Sequence, residues 1–324
     1  MEKLKLAKHL IKFIDESPSN YFACINTKNI LNEKGFTELF ETEEWKLKKG
    51  GKYFVTINDS GVIAFIIGSE KISKSGYKIA ASHTDSPGFL IKPSPEINRK
   101  GFNILNTEVY GGPILSTWFD RPLSFSGRVF VEGDNAFKPK KYFINYDKDL
   151  FIIPSLCIHQ NRGVNDGMAI NAQKDTLPLV TITDDKEKFS LKKLLAKQLK
   201  VKEDKILSYD LNLYSREKGC LLGANEEFIS VGRLDNLAAL HAGLMSLVDN
   251  KDKKIVIAGD AGINYKEKIA GTLKNRALFL ADDRMKISTA TFMQMFLNNI
   301  LEKSDIFQLK PDYLEKSQAE RDKK

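Results

Sequence analysis

The stretch His83-Thr84-Asp85-Ser86-Pro87-Gly88 follows an apolar run from Tyr77 to Ser82. The run predicts a buried strand, and the Pro-Gly pair predicts a turn directly beyond it. His83 and Asp85 would then lie at the carboxyl end of a strand, where α/β sheets commonly hold their ligands. Imidazole is a preferred zinc ligand, and a ligating ring usually needs a carboxylate to fix its tautomer. The pair therefore favours metal binding over the alternative, a histidine that only satisfies hydrogen bonds at a strand end.

Strand and helix patterns alternate on both sides of this stretch. Two apolar runs before it, Tyr53 to Ile57 and Val62 to Gly68, predict strands of the same sheet. Apolar residues at helical spacing predict an amphipathic helix over Met1 to Ser17 and a second helix that starts near Asp235. The run from Lys253 to Gly259 predicts another short buried strand. Both ends of the chain therefore indicate an α/β fold.

The middle of the chain, from residue 102 to residue 227, has a different pattern. Short runs of alternating or apolar residues lie between turns that contain Gly and Pro, which is typical of β-structure. The clearest runs are Leu123 to Glu132, Leu179 to Thr183 and Ile206 to Leu213, and one helix is predicted at Leu191 to Leu199. This pattern indicates a mostly β insertion.

The change of pattern divides the chain into two domains, as its length of 324 residues also suggests. We predict a discontinuous α/β domain formed by residues 1–100 and 230–324. A β-rich domain at residues 101–229 would interrupt it.

Composition limits the possible partners and compartment. The chain has no stretch of about 18 consecutive apolar residues, so we predict no membrane span. The net charge is +8, but the lysines are spread over the whole length without a known nucleic-acid-binding motif, so we predict no nucleic-acid partner. The three cysteines are odd in number and far apart, which predicts free thiols in a reducing cytoplasm.

Three other residues are candidates for a functional site. Asp235 fits an N-cap or first-turn carboxylate of the second helix, but it could also bridge two metal ions, which co-catalytic hydrolases hold about 3.5–4 Å apart. His159 follows an apolar run and precedes Gln160-Asn161-Arg162, which leaves a surface loop and a substrate-contacting loop equally open. Glu267 stands between two lysines, a pattern typical of an ordinary surface run.

The two remaining histidines are weaker candidates. His241 shares a helix face with Leu237, Leu244 and Met245, so we predict a core histidine. His9 lies on the exposed side of the predicted first helix. Neither is predicted to bind a ligand.

An ordered series of short motifs resembles the M18 family of metallo-aminopeptidases, the group of aspartyl aminopeptidase and aminopeptidase I. Each motif is weak alone, but the ordered series is specific and extends over roughly three quarters of the chain. In chain order the motifs are Gly35-Phe36, Glu41, Trp45, Gly50-Gly51-Lys52-Tyr53-Phe54, Ser60, Ala64-Phe65, Ser82-His83-Thr84-Asp85-Ser86-Pro87, Tyr110-Gly111-Gly112-Pro113, Trp118-Phe119-Asp120-Arg121-Pro122-Leu123, His159, Asn161-Arg162 and Gly232-Arg233-Leu234-Asp235-Asn236.

The resemblance implies a role for each of four residues. His83 would ligate one metal, Asp85 would orient it, and Asp235 would bridge two metals. His159 matches a family histidine at the active site, which is assigned either to substrate contact or to zinc. The implied cofactor is zinc, and cobalt or manganese would be chemically reasonable in its place.

The resemblance also implies an architecture and an assembly. The α/β domain would be a catalytic domain of the zinc-exopeptidase type, and the β-rich domain would mediate assembly and cover the site. Members of the family form large homo-oligomers, commonly dodecamers.

The sequence departs from the family in the second half of the site. The family has two adjacent glutamates after the strand that follows the Leu-Asp-Asn helix, first a general base and then a metal ligand. The closest match is Lys266-Glu267-Lys268-Ile269-Ala270-Gly271, where Glu267 takes the base position and Lys268 replaces the ligand. An alternative register sets Ala261-Gly262 opposite the pair and leaves no carboxylate.

Two further ligands of the family lie well downstream. The later metal-binding aspartate and the closing histidine have no counterpart before Lys324, so the C-terminal part is expected to be truncated or degenerate relative to the family. With Lys268 adding repulsion near a cation, residues 1–324 alone predict weak binding of two metals.

We predict a cytoplasmic zinc-dependent aminopeptidase that releases N-terminal residues from peptides through a metal-activated water, with Glu267 as the base. The alternative is a catalytically inactive relative that serves as an assembly or regulatory subunit, which the replaced glutamate pair favours. A nucleic-acid binder that uses the positive charge is the least favoured reading.

Overall fold

Six strands between Gly88 and Ser215 form the largest sheet of the protein. The computed structural model describes residues 2–68, 79–135, 137–167, 169–182 and 189–249, together with the backbone of two short later strands. The helices are α1 (Glu2–Asp15), α2 (Asn20–Glu33), α3 (Leu191–Leu199) and α4 (Leu234–Val248). The strands are β1 (Thr37–Glu38), β2 (Lys52–Ile57), β3 (Gly61–Ile66), β4 (Gly88–Arg99), β5 (Phe102–Tyr110), β6 (Leu123–Val131), β7 (Lys140–Asn145), β8 (Leu179–Ile182), β9 (Ile206–Ser215), β10 (Cys220–Leu222), β11 (Phe228–Ser230), β12 (Ile255–Ile257) and β13 (Ala277–Phe279).

The chain divides into two compact units. The first comprises Met1–Glu44, Tyr53–Ala64 and Ser82–Leu244, and the second comprises Trp45–Lys52, Phe65–Ala81 and Met245–Lys324. The predicted division into residues 1–100 with 230–324 and an insertion at 101–229 stays a prediction. The residues of the candidate site, His83, Asp85, Tyr110, Arg233 and Asp235, all lie in the first unit.

The large sheet has the strand order β7-β6-β9-β4-β5-β8, and all its pairings are antiparallel. Its longest pairings join β6 to β9, and β4 to β5 with Gly88 opposite Tyr110. At the centre, a Cβ on Gly127 would lie 1.9 Å from the carbonyl oxygen of Asp210, so only glycine permits β6 and β9 to approach this closely. The β-rich character predicted for the middle of the chain is thus confirmed, and it begins with β4.

One face of the large sheet carries the main hydrophobic core. Alternate residues of β6 and β9 point to this face, where they pack against the apolar side of α3. The N-cap residue of this helix is Ser190, whose hydroxyl accepts a hydrogen bond from the backbone N–H of Lys193. The core residues that are least exposed are Phe89, Leu105, Leu123, Phe125, Val129, Ile153, Leu191, Leu195 and Leu211.

The opposite face of the sheet is polar and centres on Arg128. Its guanidinium donates to Asp59 and to Asp210, each at 2.9 Å, and lies between the rings of Tyr21 and Phe130. Asp59 belongs to the β2–β3 turn, Tyr21 to α2 and Asp210 to β9. One side chain of β6 therefore joins the turn and the helix to the sheet.

Helices α1 and α2 form by different sequence signals. Helix α1 buries Leu10, Phe13 and Ile14 and exposes its lysines, as the amphipathic pattern predicts. Helix α2 buries Tyr21, Cys24, Thr27 and Leu31, a face at helical spacing that contains only one strongly apolar aliphatic residue. This weak contrast explains why periodicity did not predict α2.

The smaller sheets contain few residues. Strands β1, β2 and β3 form a three-stranded sheet in which β1 runs parallel to β2. Strands β10 and β11 form an antiparallel hairpin, and β12 and β13 pair in parallel. None of the helices within the described ranges has the length and apolar character that a membrane crossing requires.

The mixed α/β class is confirmed, and so are most of the predicted elements. The first helix, the two strands before His83, the three β-runs of the middle segment and its helix are present as α1, β2, β3, β6, β8, β9 and α3. The strand predicted over Lys253 to Gly259 contains β12 in its described residues.

The strand predicted over Tyr77 to Ser82 is wrong in its described part. Residues 79–82 form no strand, Ile79 is 76% exposed, and no strand in the described ranges pairs with them. An apolar run becomes a strand only where a partner strand accepts its backbone hydrogen bonds. Gly88, predicted to lie in a turn, is instead the first residue of β4. His83 and Asp85 therefore precede β4, and the described residues directly before them, 79–82, form no strand.

The prediction of a core histidine at position 241 is confirmed. His241 is fully buried, and its Nε2 lies 2.7 Å from Nδ1 of His9. The prediction that His9 is exposed is also confirmed, but this contact was not foreseen. Burial and the neighbouring His9 lower the pKa of His241 from 6.5 to about 3.

The lowered pKa of His241 predicts a loss of stability in acid. As pH falls below about 6.5, His241 takes up a proton in the unfolded chain but stays neutral in the folded chain until about pH 3. Between about pH 6.5 and pH 3, this residue therefore stabilises the unfolded state relative to the folded state by about 1.4 kcal/mol for each pH unit. In urea unfolding followed by circular dichroism, His241→Gln should make the decline of unfolding free energy shallower by this amount. The matched control His159→Gln, at an exposed position, should keep the wild-type slope. If the unfolding free energy of all three proteins had the same dependence on pH, the lowered pKa of His241 would be contradicted.

Candidate metal centre

His83 lies between two carboxylates. Its Nδ1 is 3.2 Å from Oδ1 of Asp85 and 3.0 Å from the backbone oxygen of the same residue. Its Nε2 is 3.3 Å from Oδ1 of Asp235, a residue 152 positions later in the sequence. The imidazole and the Asp235 carboxylate are 51% and 69% exposed, so a ligand can reach both groups from solvent.

Asp85 is held from its other side by Tyr110. The Tyr110 hydroxyl donates a hydrogen bond of 2.7 Å to Oδ2, while Oδ1 faces His83. Partial burial alone would raise the pKa of Asp85, but the hydrogen bond from Tyr110 and the nearby His83 ring outweigh it, and the pKa lies below its usual value. Asp85 is therefore a carboxylate at neutral pH, and its Oδ1 can accept a hydrogen bond from Nδ1 of His83.

The segment that carries His83 is fixed by contacts on both sides. The Thr84 hydroxyl donates to the backbone oxygen of Ser60, in the β2–β3 turn, at 2.6 Å. Pro87 packs against Gly111, where a Cβ would lie 3.5 Å from the proline ring. Strand β4 begins at the next residue and pairs with the end of β5. The irregular segment that contains His83 is thus followed directly by the paired strands β4 and β5.

Arg233, two residues before Asp235, attaches the segment that contains both residues to the end of α1. The buried Arg233 guanidinium donates to the backbone oxygen of Ile14, at the end of α1, at 3.1 Å and lies 5.9 Å from the centre of the Tyr214 ring. Asp235 and Asn236 have non-helical backbone angles, and the regular part of α4 follows them. The carboxylate therefore stands at the entry to the helix, as predicted, and projects toward His83.

His83 and Asp235 supply two of the donors that a zinc ion needs. Ligand atoms about 2.0–2.2 Å from a tetrahedral zinc lie roughly 3.3–3.5 Å from one another, and Nε2 of His83 and Oδ1 of Asp235 have this separation. The nitrogen of His83 that faces away from Asp235 contacts Asp85, which is the usual arrangement of an outer carboxylate behind a ligating histidine. His83 and Asp235 thus fit as two ligands, with Asp85 behind the first.

The remaining predicted site residues are not part of this cluster. His159 lies in an exposed turn after the bridge-forming residues Phe151–Ile153, and its role stays a prediction. Within the described ranges, no group of three or more His, Cys, Asp or Glu side chains is arranged to hold a metal. Glu267 and Lys268 lie outside the described residues.

Sequence patterns did not single out two residues of this site. Tyr110 appeared only within a motif of the family resemblance, and its link to Asp85 depends on the pairing of β4 with β5. Arg233 was likewise part of a motif, and its partner Ile14 lies 219 positions earlier. Only the motif resemblance gave a signal for either residue.

Comparison with known proteins gives consistent matches. A sequence model of the family described as aminopeptidase I zinc metalloprotease (M18) matches residues 13–263. A probable M18 family aminopeptidase 2 of Clostridium acetobutylicum is 51% identical over 252 residues, which cover 77% of this chain and 58% of the relative. The chain thus spans less than two thirds of the length of this curated relative.

Two solved structures are similar in fold. The structure of the Ape4 and Nbr1 complex matches with a TM-score of 0.73 at 33% identity, covering 78% of this chain and 52% of the other. The S. cerevisiae mApe1 dodecamer matches with a TM-score of 0.63 at 25% identity, covering 75% of this chain and 55% of the other.

The geometry predicts that Asp235 contributes to zinc affinity. Asp235→Asn removes the negative charge and keeps the shape, so we expect zinc affinity to fall more than about tenfold, since even outer partners of a ligand typically contribute 10–100-fold. Competition with a chromophoric chelator measures the dissociation constant, and elemental analysis after dialysis measures bound zinc. The control Asp134→Asn, at a side chain that is 93% exposed, should bind zinc as the wild type does. Unchanged affinity in Asp235→Asn would remove Asp235 from the site.

Proposed function

Because the chain belongs to the M18 family of aminopeptidase I zinc metalloproteases, we propose that it acts as a zinc-dependent aminopeptidase that releases N-terminal residues from peptides. The observation that carries the proposal is the contact between His83 and Asp235, an imidazole and a carboxylate at the spacing of zinc ligands. Both residues lie inside the region that the family model matches.

The residues of the cluster have separate roles in this proposal. His83 and Asp235 would hold the zinc, and Asp85 would keep Nδ1 of His83 protonated so that Nε2 presents a lone pair. Bound zinc would supply a Lewis acid for the peptide carbonyl and a water that is reactive at neutral pH. The exposure of His83 and Asp235 leaves the scissile bond of a peptide free to approach them.

Other roles follow the family pattern. Glu267 would accept the proton of the attacking water, and His159 would contact the substrate or a metal. Asp235 would bridge a second metal, and cobalt or manganese could take the place of zinc.

Three free cysteines, at positions 24, 157 and 220, are consistent with a reducing cytoplasm.

Hydrolysis of aminoacyl p-nitroanilides by the purified chain tests the proposed activity. We expect release of p-nitroaniline that requires added zinc, stops with a chelator, and falls at least about a hundredfold in His83→Gln, because this variant removes a proposed ligand. The control variant Asp134→Asn should keep the wild-type rate. If the wild-type chain binds zinc but hydrolyses no substrate, the result would instead support a catalytically inactive relative.

We further propose that the chain forms a homo-oligomer, with the dodecamer as the expected size. The similar S. cerevisiae mApe1 structure is a dodecamer, and closed symmetric assembly is common among soluble oligomers. Residues 101–229 would carry the contacts, and this segment has large apolar side chains on its surface, among them Ile114 (71% exposed), Leu156 and Ile158.

Light scattering after size-exclusion chromatography tests the assembly. The wild type should have a mass close to twelve times the 36.6 kDa of one chain. The double substitution Leu156→Asp and Ile158→Asp should produce smaller species, because burying a charge in an apolar contact is costly. Ile63→Asp, at an exposed apolar residue outside 101–229, is the matched control and should assemble normally. A monomeric wild type would overturn the proposal.

A further inference from the structure

Four side chains form a continuous series of contacts through the candidate site. The Tyr110 hydroxyl is 2.7 Å from Oδ2 of Asp85, and Oδ1 of Asp85 is 3.2 Å from Nδ1 of His83. Nε2 of His83 is 3.3 Å from Oδ1 of Asp235. Each of the two Asp85 oxygens therefore has one partner, and Tyr110 is the outermost member of the series.

Tyr110 lies at the end of a regular, paired strand next to the site. It is the last residue of β5 and pairs with Gly88, the first residue of β4. The chain turns directly after it, at Gly111, whose φ of +68° favours glycine. Asp85, in contrast, lies in a segment without strand structure. The hydroxyl thus links a residue of a paired strand to a less regular segment.

We propose that Tyr110 is a positioning residue for the metal ligand His83. Its hydroxyl holds the Asp85 carboxylate in the rotation that directs Oδ1 at Nδ1 of His83, and this fixes the ring so that Nε2 faces Asp235 and the proposed metal position. The importance of that ring orientation for metal binding rests on the proposed function, whereas the orientation itself does not.

The geometry also limits the size of the effect. Without Tyr110, the carboxylate of Asp85 can rotate, because the terminal torsion of an aspartate is broad and roughly two-fold. Nδ1 of His83 would still have the backbone oxygen of Asp85 at 3.0 Å. Loss of the hydroxyl should therefore weaken the orientation of the ring without abolishing it. We expect an effect near the lower end of the 10–100-fold range of outer-shell partners.

Tyr110→Phe tests the proposal because it removes only the hydroxyl. The expected result is zinc affinity weaker by about tenfold, measured by chelator competition. Tyr209→Phe is the matched control, since it removes a hydroxyl of the same sheet that donates to the backbone oxygens of Lys92 and Pro93. The control should bind zinc as the wild type does. Unchanged affinity in Tyr110→Phe would overturn the role in metal binding.

A double-mutant cycle separates positioning from a general structural effect. If Tyr110 acts through Asp85, the variant that combines Tyr110→Phe with Asp85→Asn should bind zinc as weakly as Asp85→Asn alone. Additive losses in the double variant would contradict the proposal, because they would mean that Tyr110 acts independently of Asp85.

A measurement without metal keeps the proposal testable even if the chain binds no zinc. Solid-state ¹⁵N spectra of histidine-labelled, metal-free protein report the tautomer of each of the four histidines, whatever the assembly size. His83→Gln identifies the signal of His83 by its loss. We expect the His83 signals of Tyr110→Phe to differ from those of the wild type, because Nδ1 loses an acceptor that is held in place.

The two readouts distinguish the proposals from each other. A change in the His83 signals without zinc binding would support the positioning role and reject the proposed metal function. Identical His83 signals in the wild type and in Tyr110→Phe would reject the positioning role, and hydrolysis by the wild type would still support the proposed function.

Discussion

The antiparallel pairing of β4 with β9 is the constraint on which the site depends. Leu90 lies opposite Asn212, so the first residue of β4 is next to the last residues of β9, and a Cβ on Gly88 would lie 3.8 Å from the carbonyl oxygen of Leu213. The start of the first strand of the large sheet, β4, thus lies beside the end of its last strand, β9. Because the segment before Gly88 carries His83 and the segment after Ser215 leads to Asp235, this pairing brings together two residues that are 152 positions apart.

The last turn of α1 completes the return of the chain from the sheet to Asp235. The Asp15 carboxylate accepts a hydrogen bond from the backbone N–H of Gly219, and the Ile14 oxygen accepts one from Arg233. A side chain at Gly219 would clash with Ile11 and Val231, each 2.7 Å from its Cβ. Helix α1 therefore has two roles. Its apolar face is buried, and its last turn binds the segment that presents Asp235 through the Ile14 carbonyl and the Asp15 carboxylate.

The sequence predicted much of this fold because the relevant signals are local. Helix α1 has a clear apolar face, and β6 and β9 are runs long enough to form strands in many contexts. Helix α2 could not be predicted in this way, because Tyr21, Cys24 and Thr27 give its buried face little contrast. The strand predicted before His83 failed for another reason. Apolar character makes a strand possible, but a pairing partner decides whether it forms, and residues 79–82 have no such partner in the described ranges.

The sequence by itself determined the family and the local contact between His83 and Asp85. His83 and Asp85 are two residues apart, so their contact needs only local backbone geometry, and the ordered motifs identify the M18 family without coordinates. Only the tertiary structure decided that Asp235 meets Nε2 of His83 and that Tyr110 holds the second oxygen of Asp85. Both contacts depend on strand order and register. Residue periodicity fixes which face a side chain occupies, but it carries no information on which distant strand lies beside it.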